Sequence, residues 1–570
     1  MSFKNEKIVE TKSCQKCQVS FDVTDKDLEF YDRVSPIFNG EKYSIPTPKL
    51  CPGCREQSRL AWVNQLNLYN VSCQGCGQST IARFSSDKKR KVYCNKCWSS
   101  DSWDALDYGQ DIDFSRPIFP QIQEIMDRVP FQNLIGSLSN IENNAVYTNY
   151  TADISDSYMV TESDGVEQCY YAKGLRKSNN VIDCLMCAKG EDIYECIDCY
   201  DVYKMYYAYN STGCHNSMFL QNCHGCSFCI GCSNLNNKQY YIFNKAVSPK
   251  EYEQFIQKLK SKKQFDDVRL KFREISSESI FKPHMNIGSQ DCLGDNITHS
   301  NDSKLCFDVL NCENVKYCSD VNNSQDMMDI SAYGSKSSLM YQGVSVGRYS
   351  SNVLFSATIG RGEDLLYCID TKKSQHCFGC VNLKGGKYCI LNKQYSQQEY
   401  ESLLPKIIEH MKTTGEWGEF FPASMSPFGY NETLANEYFP GQEGEIKQGG
   451  FNWSDYRPPF PKVDKTILAS QIPDSILDVP DDILNWAIEC ELTKKPFKII
   501  SQELKFYRKH SLPVPRRHPD QRHLDRMNLR NPRKLFERDC DSCSIEIQTT
   551  YGPERVEKVY CEECYNKEIY

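Results

Sequence analysis

The chain has 570 residues, a formal net charge of −8, 40% hydrophobic and 25% charged residues, and it carries 31 Cys and 35 Tyr. That length allows roughly three to five domains, and the lack of any run of about 18 apolar residues excludes a helical membrane span. The opening MSFKNEKIVE lacks a signal-peptide core, so paired cysteines read as metal ligands in a reducing, cytoplasmic setting and not as a disulfide framework.

Residues 1–104 read as an N-terminal double zinc-ribbon module. Zinc takes four ligands in a tetrahedron, and a CxxC turn supplies two thiolates at one corner. Cys14 and Cys17 with Cys51 and Cys54 make one site, and Cys73 and Cys76 with Cys94 and Cys97 make a second. Four thiolates leave no open coordination position, so these metals are expected to hold structure and not to catalyse. Residues 105–145, with SRPIFPQIQEIMDRV, predict a short helix that caps the repeat region beginning at 146.

From 146 to 412, short strand-like clusters recur about every twelve residues. Their leading apolar positions are Tyr158, Tyr170, Val181, Ile193, Met205, Met218 and Cys229 in one stretch. In the next they are Val315, Met327, Leu339, Val353, Leu365 and Cys377. Such a unit cannot bury its own apolar face, but stacked neighbours can, which predicts a parallel β-solenoid. An antiparallel meander is the alternative.

The region divides into halves, 146–275 and 276–412, each ending in a helix. Aligning 229–256 with 377–404 gives thirteen identities in twenty-eight positions. Both segments continue into a capping box, Ser248 with Glu251 and Ser396 with Glu399. Eighteen of the 31 Cys lie here, including Cys223, Cys226, Cys229 and Cys232 in a CxxCxxCxxC run and the set Cys184, Cys187, Cys196 and Cys199. Residues three apart on a strand face opposite sides, so these cysteines read as an interior ladder, with an iron–sulfur site as the alternative.

Residues 413–470 read as an extended strap whose Trp417, Phe420, Phe421 and Phe428 are packing anchors. Residues 471–570 then form a second ribbon module. Adding 467 to positions 51–97 gives the C-terminal partner, with twelve identities in forty-seven positions. Cys540, Cys543, Cys561 and Cys564 reproduce one site. The other has decayed: Cys490 matches Cys14, but Thr493 stands for Cys17 and His518 for Cys51, leaving Cys490, His518 and His523 as a weak candidate set.

One stretch of this module is basic. Residues 501–540 carry eleven Lys/Arg against five Asp/Glu, leaving −14 elsewhere. Arg522, Arg526 and Arg530 share one face of a short helix, with Arg516, Arg517, Arg533 and Lys534 around it. Guanidinium groups so spaced suit phosphate oxygens. A solvated or internally paired face is the other reading.

The stretches LCPGCREQSRLAW, VYCNKCW, DFSRPIF, CFGCVNL with YCILNKQYS, GEWGEFFPASMSPFGYNET and HPDQRHLDRMNLRNPRKLFERDC together resemble a family of cysteine-rich zinc-ribbon repeat proteins encoded by ultra-small uncultured bacteria. The resemblance covers nearly the whole chain and implies zinc ribbons, but it assigns no function. A class III CoA-transferase label attached to some relatives is not carried over: those enzymes are α/β proteins with a nucleophilic Asp, whereas this chain reads as β-repeat and ribbon.

The sequence therefore predicts a mainly β protein: a duplicated β-solenoid-like region flanked by zinc-ribbon modules with short helices, holding three structural Zn2+ ions. The leading function is a non-enzymatic scaffold contacting RNA or a ribonucleoprotein through the basic helix. A protein-interaction scaffold using the Tyr/Cys-rich repeats is second, and an iron–sulfur or redox protein third. No convergent catalytic set or phosphate-binding loop is apparent; His215, His224 and His376 are the candidates if there is catalysis.

Overall fold

The computed structural model describes residues 6–88, 90–136 and 143–569. The described residues include two large sheets, of ten and thirteen strands, with helices and small two- and three-stranded sheets beside them. The strands of each large sheet pair in parallel, most often twelve residues apart, until a closing antiparallel pair, Gln239–Ile242 with Lys245–Ala246 in one and Lys387–Ile390 with Lys393–Gln394 in the other. Tyr170 pairs with Ile182, Ile182 with Tyr194, Tyr206 with Met218 and Met218 with Ile230.

The backbone has a second, shorter period. From Asn144 to Phe243 every third residue has positive φ, near 55° at most positions and up to 76° at Gly174. This left-handed region suits Gly best and Asn and Asp next, and those residues recur there, as at Asp183, Asp192, Asp198, Asp201 and Gly213. Each twelve-residue step between paired strands therefore contains four such residues. The residue after each corner points inward: Val181, Cys184, Cys187, Ile193, Cys196 and Cys199 are at most 1% exposed.

That period corrects two expectations. Residues three apart do not face opposite sides of a strand; they share the interior, because a left-handed residue between them resets the pleat. The leading positions also mix two rows. Tyr158, Tyr170 and Met218 lie on one row of the ladder, whereas Val181, Ile193, Met205 and Cys229 lie on the inward one. In the second half Met340, not Leu339, pairs with Met327. Extra residues near Tyr333 and Tyr349 lengthen two steps to thirteen, as in Gln325 with Ser338 and Ser338 with Ser351.

The ladder ends the same way in both halves. The Asn244 side chain accepts from the Ser233 N–H (2.9 Å) and donates to the Ser233 carbonyl (3.0 Å). Asn392 does the same to Val381, at 2.8 Å each way. A carboxamide thus stands in for the next peptide group and satisfies the sheet edge. Helices Pro249–Lys258 and Gln397–Thr414 come next, each with the expected capping box.

The chain divides into two compact units. One comprises Met1–Leu134, His284–Tyr456 and Arg533–Leu535; the other comprises Ile135–Pro283, Arg457–Pro532 and Phe536–Tyr570. Each unit therefore joins one ribbon module to the repeat half remote from it in sequence. In the first, helices Asp25–Val34 and Pro52–Leu60 pack on the strands around Gln325–Gly347. Trp417, Phe421 and Phe428 are buried there, Phe421 against Trp62 (5.1 Å) and Phe428 stacked on Phe84 (5.2 Å). In the second, residues 467–514 close over Tyr170, Ile182, Tyr194 and Ile230.

The buried thiols make stability pH-dependent. Burial pushes Cys169 and Cys312 up to about 12, above their ordinary 9.0. A thiol whose folded pKa is raised stabilises the fold below its unfolded pKa, and that contribution is lost as pH rises from about 9 toward 12. Each is worth at most about 4 kcal/mol. Urea midpoints are expected to fall steeply above pH 9, and less steeply in Cys169→Ala; an unchanged slope in that variant would refute the assignment.

Candidate metal centres and arginine clasps

Each four-cysteine candidate site starts from a tight turn. The Cys73 N–H donates to the Gln78 carbonyl and the Gly77 N–H to the Cys73 carbonyl, both at 2.8 Å, with Gly77 at φ 75°. Gln18 and Ser544 occupy the same left-handed position after Cys14 and Cys540. Backbone N–H groups also point at sulfur: Cys94 N–H to Cys73 Sγ at 3.2 Å and Cys561 N–H to Cys540 Sγ at 3.1 Å. Burial raises these thiols, but the surrounding N–H groups outweigh it and hold Cys73 and Cys540 at about 6.

The sulfurs converge. In each set, Cys14/Cys17/Cys51/Cys54, Cys73/Cys76/Cys94/Cys97 and Cys540/Cys543/Cys561/Cys564, all four Sγ atoms lie within 4.8 Å of one another. Representative separations are 3.6 Å for Cys17–Cys51, 4.0 Å for Cys76–Cys94 and 3.8 Å for Cys543–Cys561. A tetrahedral ion with bonds of about 2.3 Å to sulfur needs edges of about 3.8 Å. The residues fit a metal ion. Cys14, Cys73 and Cys540 are buried while Cys17, Cys76 and Cys543 are exposed, so every site opens at one corner.

The decayed site keeps the turn without the ligands. Cys490 N–H donates to the Lys495 carbonyl (3.0 Å), Lys494 N–H donates to the Cys490 carbonyl (3.1 Å), and Lys494 has φ 61°. His518 instead caps its helix by accepting from the Asp520 N–H at 3.1 Å. Among the described residues, Cys490, His518 and His523 form no candidate metal group, and neither do Cys223/Cys226/Cys229/Cys232 or Cys184/Cys187/Cys196/Cys199. Those interior thiols donate to carbonyls: Cys226 Sγ to His224 and Leu235, and Cys199 Sγ to Ile197 and Ala208.

The basic helix does not present its arginines to solvent. Helix Pro519–Met527 turns Arg522 and Arg526 onto Asp183, whose carboxylate is fully buried; Arg526 Nη1 lies 3.1 Å away and Arg522 is bonded more closely. Glu503 adds a second acid at 3.2 Å from Arg522. Arg530 reaches Asp198 at 3.1 Å with 12% of its side chain exposed. Arg533, in the other unit, is 5% exposed and bonds Asp308 and Asp320, both at 2.8 Å. Each of these four guanidiniums, expected to contact nucleic acid, already has carboxylate partners that a phosphate would have to displace. Arg516 lies 3.7 Å from Asp474, and Arg517 pairs with Glu491 and Asp525 at 2.8 and 2.7 Å. Lys534 is exposed.

The first unit repeats this clasp. Arg55 Nε meets Asp329 Oδ2 at 2.9 Å and Arg59 Nη1 meets Asp329 Oδ1 at 3.1 Å, all three side chains being at most 3% exposed. Arg55 lies over Tyr317 at 5.2 Å, as Arg522 lies over Tyr171 at 4.9 Å. Tyr31 packs on Tyr341 as Tyr507 packs on Tyr194, at 5.3 and 5.6 Å. Asp183 and Asp329 hold equivalent places in the two halves once the extra residues are allowed for. Sequence reasoning noticed the matched arginines but missed both aspartates; the signal was an Asp at one corner position in each repeat half.

The catalytic candidates do not assemble. His215 is exposed, His224 hydrogen-bonds Thr212 (2.8 Å), and His376, in the other unit, stacks on Tyr388 and lies 3.1 Å from Asp364. Searches against family models, curated proteins and solved structures matched nothing.

Proposed function

We propose that this protein is a metal-stabilised binding scaffold, not a catalyst: two β-solenoid halves, each fastened to a zinc-ribbon module by an Arg–Arg–Asp clasp. The observation that carries the reading is the duplicated clasp, in which both arginines of helix Pro519–Met527, like both of helix Pro52–Leu60, are spent on a buried aspartate. The in-register parallel pairing supports the solenoid, and the four-thiolate sets support closed structural zinc sites. Partner binding is assigned to the outward rows of the repeats, and the partner to a class other than nucleic acid.

Metal analysis of protein purified without added metal tests the first part. Three zinc ions per chain and a colourless sample are expected. Iron with visible absorbance would replace this reading with the redox one. For the second part, an absorbance ratio free of nucleic acid after purification at low salt is expected, and co-purifying RNA would overturn it.

A further inference from the structure

One surface in the second unit differs from its duplicate in a way that suits a ligand. Asn144, Asp156, Gln168 and Asn180 stand at corner positions twelve residues apart, so a rim offers one carboxamide or carboxylate per rung, roughly every 4.8 Å. Opposite runs helix Ser501–Lys509 with Gln502 and Lys505, and the groove between them encloses about 450 Å³. Its floor is apolar: Tyr158, Tyr170 and Phe506. Asn144 donates to Asp156 at 2.9 Å. Gln168, Asn180, Gln502 and Lys505 make no side-chain hydrogen bond among the described residues.

The first unit has closed the equivalent place. Lys304 and Lys316 stand where the second unit has Tyr158 and Tyr170, and Arg33 stands where it has Lys509. Lys316 is buried between Asp27 (2.7 Å) and Glu6 (2.6 Å), and Arg33 pairs with Asp326 at 2.7 Å. One copy is thus filled with ion pairs, while the other keeps an apolar floor and uncommitted amides.

We propose that the groove of the second unit binds a short, uncharged oligosaccharide along the row Asn144–Asp156–Gln168–Asn180. Carboxamides both donate and accept, as sugar hydroxyl pairs require, and the apolar floor suits the C–H faces of the rings. The rim repeats once per rung, so a chain with one hydroxyl pair per residue meets a new partner at each step over roughly 14 Å. Charge argues against a polyanion: Asp156 and Asp192 balance Lys505 and Lys509, with Lys509 already bonded to Asp192 at 3.1 Å. A peptide strand adding to the sheet is disfavoured too, since the rung backbones are spent on their neighbours.

Isothermal titration of the full-length protein with cellotetraose, maltotetraose and chitotetraose tests this, with a U-rich RNA oligonucleotide and an acidic peptide as alternative ligands. At least one sugar is expected to bind, with affinity reduced about tenfold through loss of two hydrogen bonds in Gln168→Gly/Asn180→Gly, which suit the left-handed corners and keep the fold. Tyr158→Lys/Tyr170→Lys, which copies the closed unit, is expected to abolish binding. Failure of all three sugars at millimolar concentration overturns the proposal. So does sugar binding unaffected by the Gln168/Asn180 pair, or binding of RNA or peptide that this pair weakens.

Discussion

Asp183→Asn is expected to destabilise the second unit by about 3–5 kcal/mol, because it removes the carboxylate that neutralises two buried guanidinium groups. Arg522 and Arg526 are at most 3% exposed, so water cannot replace the lost partner. Glu503, 3.2 Å from Arg522, and Glu195, 3.5 Å from Arg526, retain part of the compensation. In the first unit Arg59 bonds Asp329 and, at 3.3 Å, the neutral Ser331 hydroxyl, which supplies no charge. Asp329→Asn is therefore expected to cost at least as much as Asp183→Asn. Replacing the whole set by apolar residues, as in Arg55→Met/Arg59→Met/Asp329→Leu, is expected to recover much of the loss. Urea denaturation followed by tyrosine fluorescence and circular dichroism measures both. A cost below about 1 kcal/mol for either aspartate would mean that the clasps do not fasten the ribbons.

The second large effect concerns the proposed metal ligands. Cys540→Ser is expected to lower the metal content by one ion per chain and to unfold the C-terminal ribbon, since structural zinc contributes on the order of 10 kcal/mol in such modules. The hairpin Phe536–Asp539 with Glu546–Thr549 would lose its anchor, and hydrogen exchange there should rise to the level of an open chain. Cys226→Ala supplies the contrast. It lies in the repeat interior, 0% exposed, and should keep the full metal content while costing about 1–3 kcal/mol for lost packing. Loss of metal from Cys226→Ala, with retention in Cys540→Ser, would reverse the division between ligand and ladder cysteines.

Much of this was legible in the chain. The spacing Cys73/Cys76/Cys94/Cys97 and its repeat at Cys540/Cys543/Cys561/Cys564 located two sites, because ligand geometry at a CxxC turn is local. The twelve-residue period was legible for a similar reason: each rung must bury one inward row. The three-residue period inside it was missed. Its mark is the recurrence of Asn, Asp and Gly at corners such as Asp183, Asp192 and Asp198, diluted by Tyr, Lys and Met at others.

What the sequence could not decide was where the arginines point. Arg522, Arg526 and Arg530 at helical spacing describe a basic stripe, and nothing local distinguishes a stripe facing solvent from one facing a buried carboxylate. Asp183 lies 339 residues from Arg522, and Asp329 lies 274 from Arg55. The paired-cysteine turns, the twelve-residue period and the helix capping boxes depend on near neighbours and were legible in the sequence alone, as was the internal duplication. Which ribbon meets which repeat half, and hence which carboxylates those arginines reach, was decided only by tertiary structure, since burial is set by what packs over a residue and not by the residues beside it.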